Sequence, residues 1–375
     1  SYGEVGNNAS ISPYATQSNI FQTYYDFDGN PALGYTINSL ANQGIVWERS
    51  KEINIGLDFT LSDFPLSGTV EYYKRNTEDL ILDDKVPNST GFNNVLDNVG
   101  EIENSGIEVS LNSVNISKGD FKWSSNLTFT ANDDKVVKLA GGITEDIGNK
   151  RFVGESVKAY YTYKFEGIWQ LGQEAEAAEF KQVPGQVRIR DLNDDKKINS
   201  DDRMIVGKGT PDWTAGLRNQ FNYKNWDMSF FVYTRRGQMY SNAFLNGSYG
   251  DLASDRYNRS ADIDYWTPDN PSNTYYSPVT GPGLSSKNEK KGGTSRVGLG
   301  YQLADFVRIS DITMGYSLPN QILSVLGVSR FRVYGQMQNP FIFSDFLSFD
   351  PEYNSGGNDD DLPALTVLFG VNINF

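Results

Sequence analysis

The chain has 375 residues, a net charge of −14 from 33 basic and 47 acidic residues, and neither Cys nor His. It therefore has no thiolate chemistry and lacks the commonest metal ligand and general base, and its acidity argues against a nucleic-acid partner, which takes a basic face. No window approaches eighteen consecutive apolar residues, which excludes a transmembrane helix but not strands that cross a membrane with a weaker signal.

Residues 1–6 read as the tail of a strand, opening without a signal peptide, so the amino terminus is expected to be a cut or processed end. Residues 7–44 are rich in Asn, Ser, Gly and Tyr without periodicity. Ile53, Ile55, Leu57, Phe59 and Leu61 then alternate with Asn54, Gly56, Asp58 and Thr60. A turn at 62–65 leads to Leu66, Gly68, Val70 and Tyr72, with Ser67, Thr69, Glu71 and Tyr73 opposite. A loop is expected over roughly 83–100. The alternation resumes at Ile107, Val109 and Leu111, turns at 117–120, and continues through Phe121, Trp123, Leu127 and Phe129. Trp213, Ala215, Leu217, Phe221 and Tyr223 turn at Lys224–Asn225 into Trp226, Met228, Phe230 and Val232. Ile312, Met314, Tyr316 and Leu318 are followed by Phe331, Val333 and Met337. The last strand, 365–375 (LTVLFGVNINF), has an apolar residue at every odd position and ends on Phe375. A period of two means one greasy and one wet face. This gives nine complete strands plus the amino-terminal tail.

Short connections (62–65, 117–120, 224–225 and about 319–328) alternate with long polar ones (7–44, 83–100, 138–210, 239–302 and 343–363). Strands of about 9–11 residues joined in this way predict an antiparallel up-and-down transmembrane β-barrel, with tight periplasmic turns and large extracellular loops. On this reading 138–210 and 239–302 are extracellular excursions. Tyr72, Tyr73, Trp123, Trp213, Tyr223, Trp226 and Tyr240 sit where an interfacial girdle falls. Glu108, Lys122, Asn126, Arg218, Gln220, Asp227, Arg235 and Gln336 face the lumen. Their charges are expected to pair with one another or with a plug. The alternative from another class is a secreted β-rich binding module.

Several stretches resemble the SusC/RagA family of TonB-dependent outer-membrane transporters. They are 1–7 (SYGEVGN), 47–59 (WERSKEINIGLDF), 72–80 (YYKRNTEDL), 98–108 (NVGEIENSGIE), 163–170 (YKFEGIWQ), 191–203 (DLNDDKKINSDDR), 306–319 (FVRISDITMGYSLP), 331–339 (FRVYGQMQN) and 349–352 (FDPE). The resemblance implies the carboxyl-terminal portion of a barrel of roughly twenty-two strands, with the plug and the amino-terminal strands outside this chain. It further implies import of oligosaccharides or peptides, in Bacteroidetes, with a SusD-like surface lipoprotein as lid. Energy would come from the TonB complex through the plug. The runner-up is an outer-membrane receptor or secretion-associated barrel without active import. The terminal strand also suits recognition by barrel-assembly machinery through edge pairing.

The sharpest chemical motif is an Asp-rich loop. Asp191, Asn193, Asp195, Asn199 and Asp202 fall at loop positions 1, 3, 5, 9 and 12. Lys197 offers its carbonyl at position 7, as a hard cation such as Ca²⁺ requires. Lys196 stands at position 6 where such loops, in this family too, carry Gly, and position 12 is Asp rather than a longer Glu. The competing reading is a turn held by Asx hydrogen bonds. A second candidate is the aromatic set Tyr249, Tyr257, Tyr265, Trp266, Tyr275 and Tyr276, among Asn and Asp in 239–302. Ring faces and amides suit sugars, and packing within the loop or against a lipoprotein is the alternative. Asp359–Asp361 and Lys287–Lys291 read as solvated loop. Catalysis is not expected: adjacent carboxylates such as Asp133–Asp134 and Asp83–Asp84 do not establish the separation glycoside hydrolysis requires.

Overall fold

A computed structural model describes residues 1–8, 16–37, 39–61, 65–241, 264–281, 283, 300–347, 350–352 and 363–375. It divides into two compact units. The first comprises Ser1–Asp58, Thr69–Val109 and Ala131–Val157. Its β1 (Tyr2–Asn7) runs antiparallel to β4 (Glu48–Leu61), from Tyr2↔Ile53 to Asn7↔Glu48. Between them lies a hairpin of β2 (Ile20–Phe27) and β3 (Asn30–Ile37). Its two-residue turn places Asp28 at φ 53° and Gly29 at φ 78°. Positive φ at both central residues matches the twist of the flanking strands. The long strands β5 (Leu66–Lys85), β6 (Asn94–Lys118) and β7 (Phe121–Lys138) follow, then the short β8 (Glu145–Asp146) and β9 (Arg151–Phe152). The hairpin ends Phe59–Gly68 and Ser110–Thr130 group with the second unit.

That unit otherwise comprises Lys158–Phe375. It holds β10 (Ala159–Tyr163), β11 (Phe165–Ile168), α1 (Glu174–Glu179), β12 (Val187–Ile189) and β13 (Arg203–Lys208). Next come β14 (Trp213–Tyr223), β15 (Trp226–Arg236), β16 (Met239–Ser241), β17 (Tyr301–Leu303) and β18 (Phe306–Ser317). The helix α2 (Asn320–Leu326) precedes β19 (Arg330–Phe343) and β20 (Thr366–Asn374). Ten strands form one sheet in the order β1-β4-β5-β6-β7-β14-β15-β18-β19-β20. These are the nine expected strands and the amino-terminal tail.

The sheet's apolar face is bare. Leu57, Met314, Val371 and Phe369 are 63%, 51%, 51% and 84% exposed. A soluble sheet hides such a face against a second layer; here the solvent for it is lipid. The secreted-module reading fails on this point. Rings line the face in the second unit, Trp226 meeting Tyr316 at a tilt with centroids 4.7 Å apart and Trp123 stacking on Phe221 at 5.7 Å. The Trp123 indole N–H and the Ser125 hydroxyl both donate to Asn219 Oδ1, at 2.9 and 2.7 Å. The indole donor is thus satisfied where lipid offers no acceptor. The short connections meet at one rim: Lys224 N donates to Asp120 O, Ser317 N to Asn225 O, and Ser329 N to Asn374 O.

The strands of the first unit outrun the expectation. The loop expected over 83–100 shrinks to the segment between Lys85 and Asn94. Above the apolar belt polar and apolar residues fall on both faces (Leu80, Ile81 and Leu82 are consecutive), so period-two hydrophobicity vanishes while pairing continues. Cross-strand charges hold the extension: Lys51 to Glu78 (2.6 Å), Arg75 to Glu52, and Glu103 between Lys74 and Lys135 at 2.8 Å each. These pairs are partly exposed and individually weak. Glu103→Gln is expected to lower stability by less than about 1 kcal/mol, read as a small change in thermal unfolding in detergent.

Candidate functional site

Three arrangements in the second unit bear on function. The first is the polar face of the sheet, where the register aligns charges from neighbouring strands. Asp227 on β15 pairs with Arg332 on β19 (2.5 Å), and Arg218 on β14 pairs with Asp311 on β18 (3.2 Å). Further along the same face, Arg235 reaches Glu352 at 3.3 Å and takes up Tyr233 Oη at 2.9 Å. Arg308, 4% exposed, donates from one nitrogen to both oxygens of Asp350 at 2.7 Å. Its Nε lies 3.3 Å from Glu352 Oε2, an ion contact without hydrogen-bond geometry. The predicted lumenal residues Arg218, Asp227 and Arg235 are thus paired. Arg308, Asp350 and Glu352 were missed as a group; the blocks FVRISD and FDPE were their only signal, because their contact spans 42 residues.

The second is the Asp-rich loop. Asp191 Oδ2 accepts from Lys196 N (2.9 Å), Asn193 Oδ1 from Asp195 N (3.2 Å), and Asp195 Oδ1 from Lys197 N (2.8 Å). Asp202 is fully buried, and its two oxygens accept from Leu192 N and Asn199 N at 2.9 and 2.7 Å. Asn199 caps the following turn through Asp201 N. Asx turns therefore do shape the loop. Yet Lys196 adopts φ 61° and Asp194 φ 60°, so the tight curl assigned to Gly forms with Lys in its place, at a steric cost. Asp191 Oδ1 is buried without a hydrogen-bond partner. An orphaned carboxylate oxygen at position 1 fits a cation. Among the described residues no three acidic side chains converge as a ready-made metal cluster, so further ligands would have to come from Asn side chains and the Lys197 carbonyl.

The third is aromatic. Trp266, Tyr275 and Tyr276, at 5%, 0% and 2% exposure, form one core with Tyr163, Ile168, Val187 and Ile189. The Trp266 indole donates to Gln170 Oε1 at 2.9 Å, and the rings of Tyr275 and Tyr276 stack at 4.4 Å. These three residues clamp 264–281 onto β10–β12, the packing role that the sequence reading set beside sugar-facing rings. Tyr265 is 39% exposed. Tyr249 and Tyr257 lie outside the described residues, as do 287–291 and 359–361. Hydrogen bonds from Asn270 and Ser272 hold the Asp264 carboxyl below the usual carboxylate range. A depressed pKa stabilises above the unfolded value and is lost as pH falls through the folded one. Protection of the amides across 264–274, taken relative to their intrinsic exchange rates at each pH, is therefore expected to fall only below about pH 4.

The profile described as "TonB dependent receptor-like, beta-barrel" matches residues 5–339. TonB-dependent receptor P3 of Formosa agariphila is 34% identical over 94% of this chain and 35% of its own length. TonB-dependent receptor SusC of Bacteroides thetaiotaomicron is 31% identical over 89% of this chain and 32% of its own. The structure of the RagAB peptide importer in the open-open state superposes with a TM-score of 0.76 at 21% identity, over 100% of this chain and 39% of that one. The chain thus spans about a third to two-fifths of the length of the curated relatives it matches.

Proposed function

The chain belongs to the TonB-dependent receptor β-barrel family of the outer membrane, and we propose that the protein it forms part of imports oligosaccharides or peptides with a SusD-like surface lipoprotein. Importing relatives and receptors, rather than enzymes, make up this family. The observation that carries the reading is the two-faced sheet: apolar side chains bare on one side, ion pairs on the other. Such a wall can enclose a polar lumen in lipid, and the mechanism is binding and gated passage. Solute would be caught between the long loops and the lipoprotein lid, and TonB would displace a plug held in the lumen. This chain supplies wall and loops, including 138–210 and 239–302 as extracellular excursions. Tyr265 is the described ring still open to a ligand. Deleting the receptor gene, or TonB, is expected to abolish uptake of labelled oligosaccharide or peptide by intact cells. Uptake that persists without TonB would overturn active import.

Ca²⁺ is proposed as the ligand of the Asp-rich loop. The orphaned Asp191 Oδ1 and the positive φ at Lys196 support it. Asp191, Asn193, Asp195 and Asn199 would hold the ion by side chains, Lys197 by its carbonyl, and Asp202 through the lone pairs its amide bonds leave open. Calorimetry on the chelator-treated receptor should register Ca²⁺ binding. Asp191→Asn should weaken it at least about tenfold, worth about 1.4 kcal/mol, and Lys196→Gly should tighten it by relieving the strained turn. Equal heats for wild type and Asp191→Asn would remove the ion from this loop.

A further inference from the structure

A second polar site lies in the first unit, apart from the three arrangements of the second. The segment leading into β2, the segment leaving β3, the end of β5 and the start of β6 enclose a cleft of about 490 Å³. That volume holds a small ligand or a few units of a longer one. Gln17, Asn19, Asp83, Asn93 and Asn94 line it, and Phe92, Ile37, Leu40 and Leu96 supply apolar surface. Among the described residues the side chains of Gln17, Asn19, Asn93 and Asn94 make no hydrogen bond and Asp83 forms no ion pair.

No Lys or Arg among the described residues lines the cleft. A phosphate, a carboxylated sugar or an acidic peptide would find no counter-charge there. Four free amides offer donors and acceptors in equal supply, and one carboxylate adds acceptors. A half-buried ring among them matches a ligand whose hydroxyls need both kinds of partner and whose C–H face needs an aromatic one. We propose that this cleft binds neutral oligosaccharide. The hairpin extends it: Tyr35 and Tyr24 share the face of Ile37 by strand register, and they are 66% and 71% exposed. A chain anchored among the amides can lie along those rings. A free two-strand hairpin is marginal in water, and a ligand across its face would add to its order.

The inference takes from the import reading only that these connections face the cell exterior. The test is native gel electrophoresis of the full-length receptor in detergent, in gels containing soluble starch, laminarin, galactomannan, xylan or, as charged control, alginate. At least one neutral polysaccharide is expected to retard the wild type and alginate to leave it unshifted. Asn93→Ala with Asn94→Ala, and separately Phe92→Ala, should weaken retardation at least about tenfold. Asn320→Ala on α2 should not change it. Asn19→Ala gives an independent variant of the same cleft. Heat-modifiable mobility confirms that each variant has folded as a barrel. Absence of retardation by every neutral glycan, or equal retardation of wild type and cleft variants, overturns the proposal. Retardation without cellular uptake would instead sink import and leave the cleft standing; uptake without retardation would do the reverse.

Discussion

Arg308→Ala is expected to destabilise the wall by about 3–5 kcal/mol, because it strands Asp350 as a buried carboxylate without a counter-charge. Asp350 is 6% exposed and takes two of its three hydrogen bonds from one Arg308 nitrogen, the third coming from Glu352 N at 2.8 Å. Glu352 loses one of its two arginines and keeps Arg235. Chymotrypsin, which cleaves after Phe346 and Leu347, should therefore cut the variant receptor faster than wild type. Glu352→Gln should cost less, since its contacts are longer and its side chain is a quarter exposed. The discriminating variant is the double one. Arg308→Met with Asp350→Leu removes both charges and should recover much of the stability that Arg308→Met alone loses. A double variant as unstable as the single would mean that the side chains act by shape and not by charge.

Tyr275→Ala carries the second large expected effect, about 3–5 kcal/mol, the range for emptying an aromatic core position. Tyr275 is fully buried, stacks on Tyr276, and its backbone carbonyl accepts from Trp266 N at 2.9 Å. Losing the ring opens the cluster that joins 264–281 to β10–β12, while the sheet strands remain untouched. Hydrogen exchange should accordingly rise in 163–168, 187–189 and 264–281 and stay low in β14–β15. Tyr265→Ala, on a more exposed ring, should change exchange little. Protection of 264–281 equal to wild type in Tyr275→Ala would show that the segment is held by something other than this core.

The membrane-crossing strands were legible because lipid writes on them directly: one face must be apolar, so Ile53 to Leu61 alternates throughout and Leu365 to Phe375 is apolar at every odd position, with Leu368 the one apolar residue out of phase. Above the belt that constraint lapses. The extensions of β5, β6 and β7 are held by Lys51–Glu78 and Lys74–Glu103–Lys135, carry no two-residue period, and read as loop. The β2–β3 hairpin was lost for the opposite reason, with large apolar residues on both faces; its one local signal was the Asp28–Gly29 pair. Spacing alone placed the Asp-rich loop, since its oxygens come from one short segment. The aromatic residues of 264–281 lie amid Asn, Asp and Ser, and nothing local indicates that their partners sit on β10–β12. Arg308 and Asp350 are likewise joined only by the fold.

The alternation of the wall is best tested by spin labels. This chain has no cysteine, so, with any cysteine elsewhere in the receptor replaced, single substitutions along β14 and β15 add one label each. In receptor reconstituted into bilayers, oxygen should reach labels at Leu217, Phe221, Met228 and Phe230 readily. A water-soluble nickel relaxant should exceed oxygen at Arg218, Gln220 and Ser229. A two-residue period with that phase is the result for a wall between lipid and lumen. A flat profile, or one with the phase reversed, would contradict it.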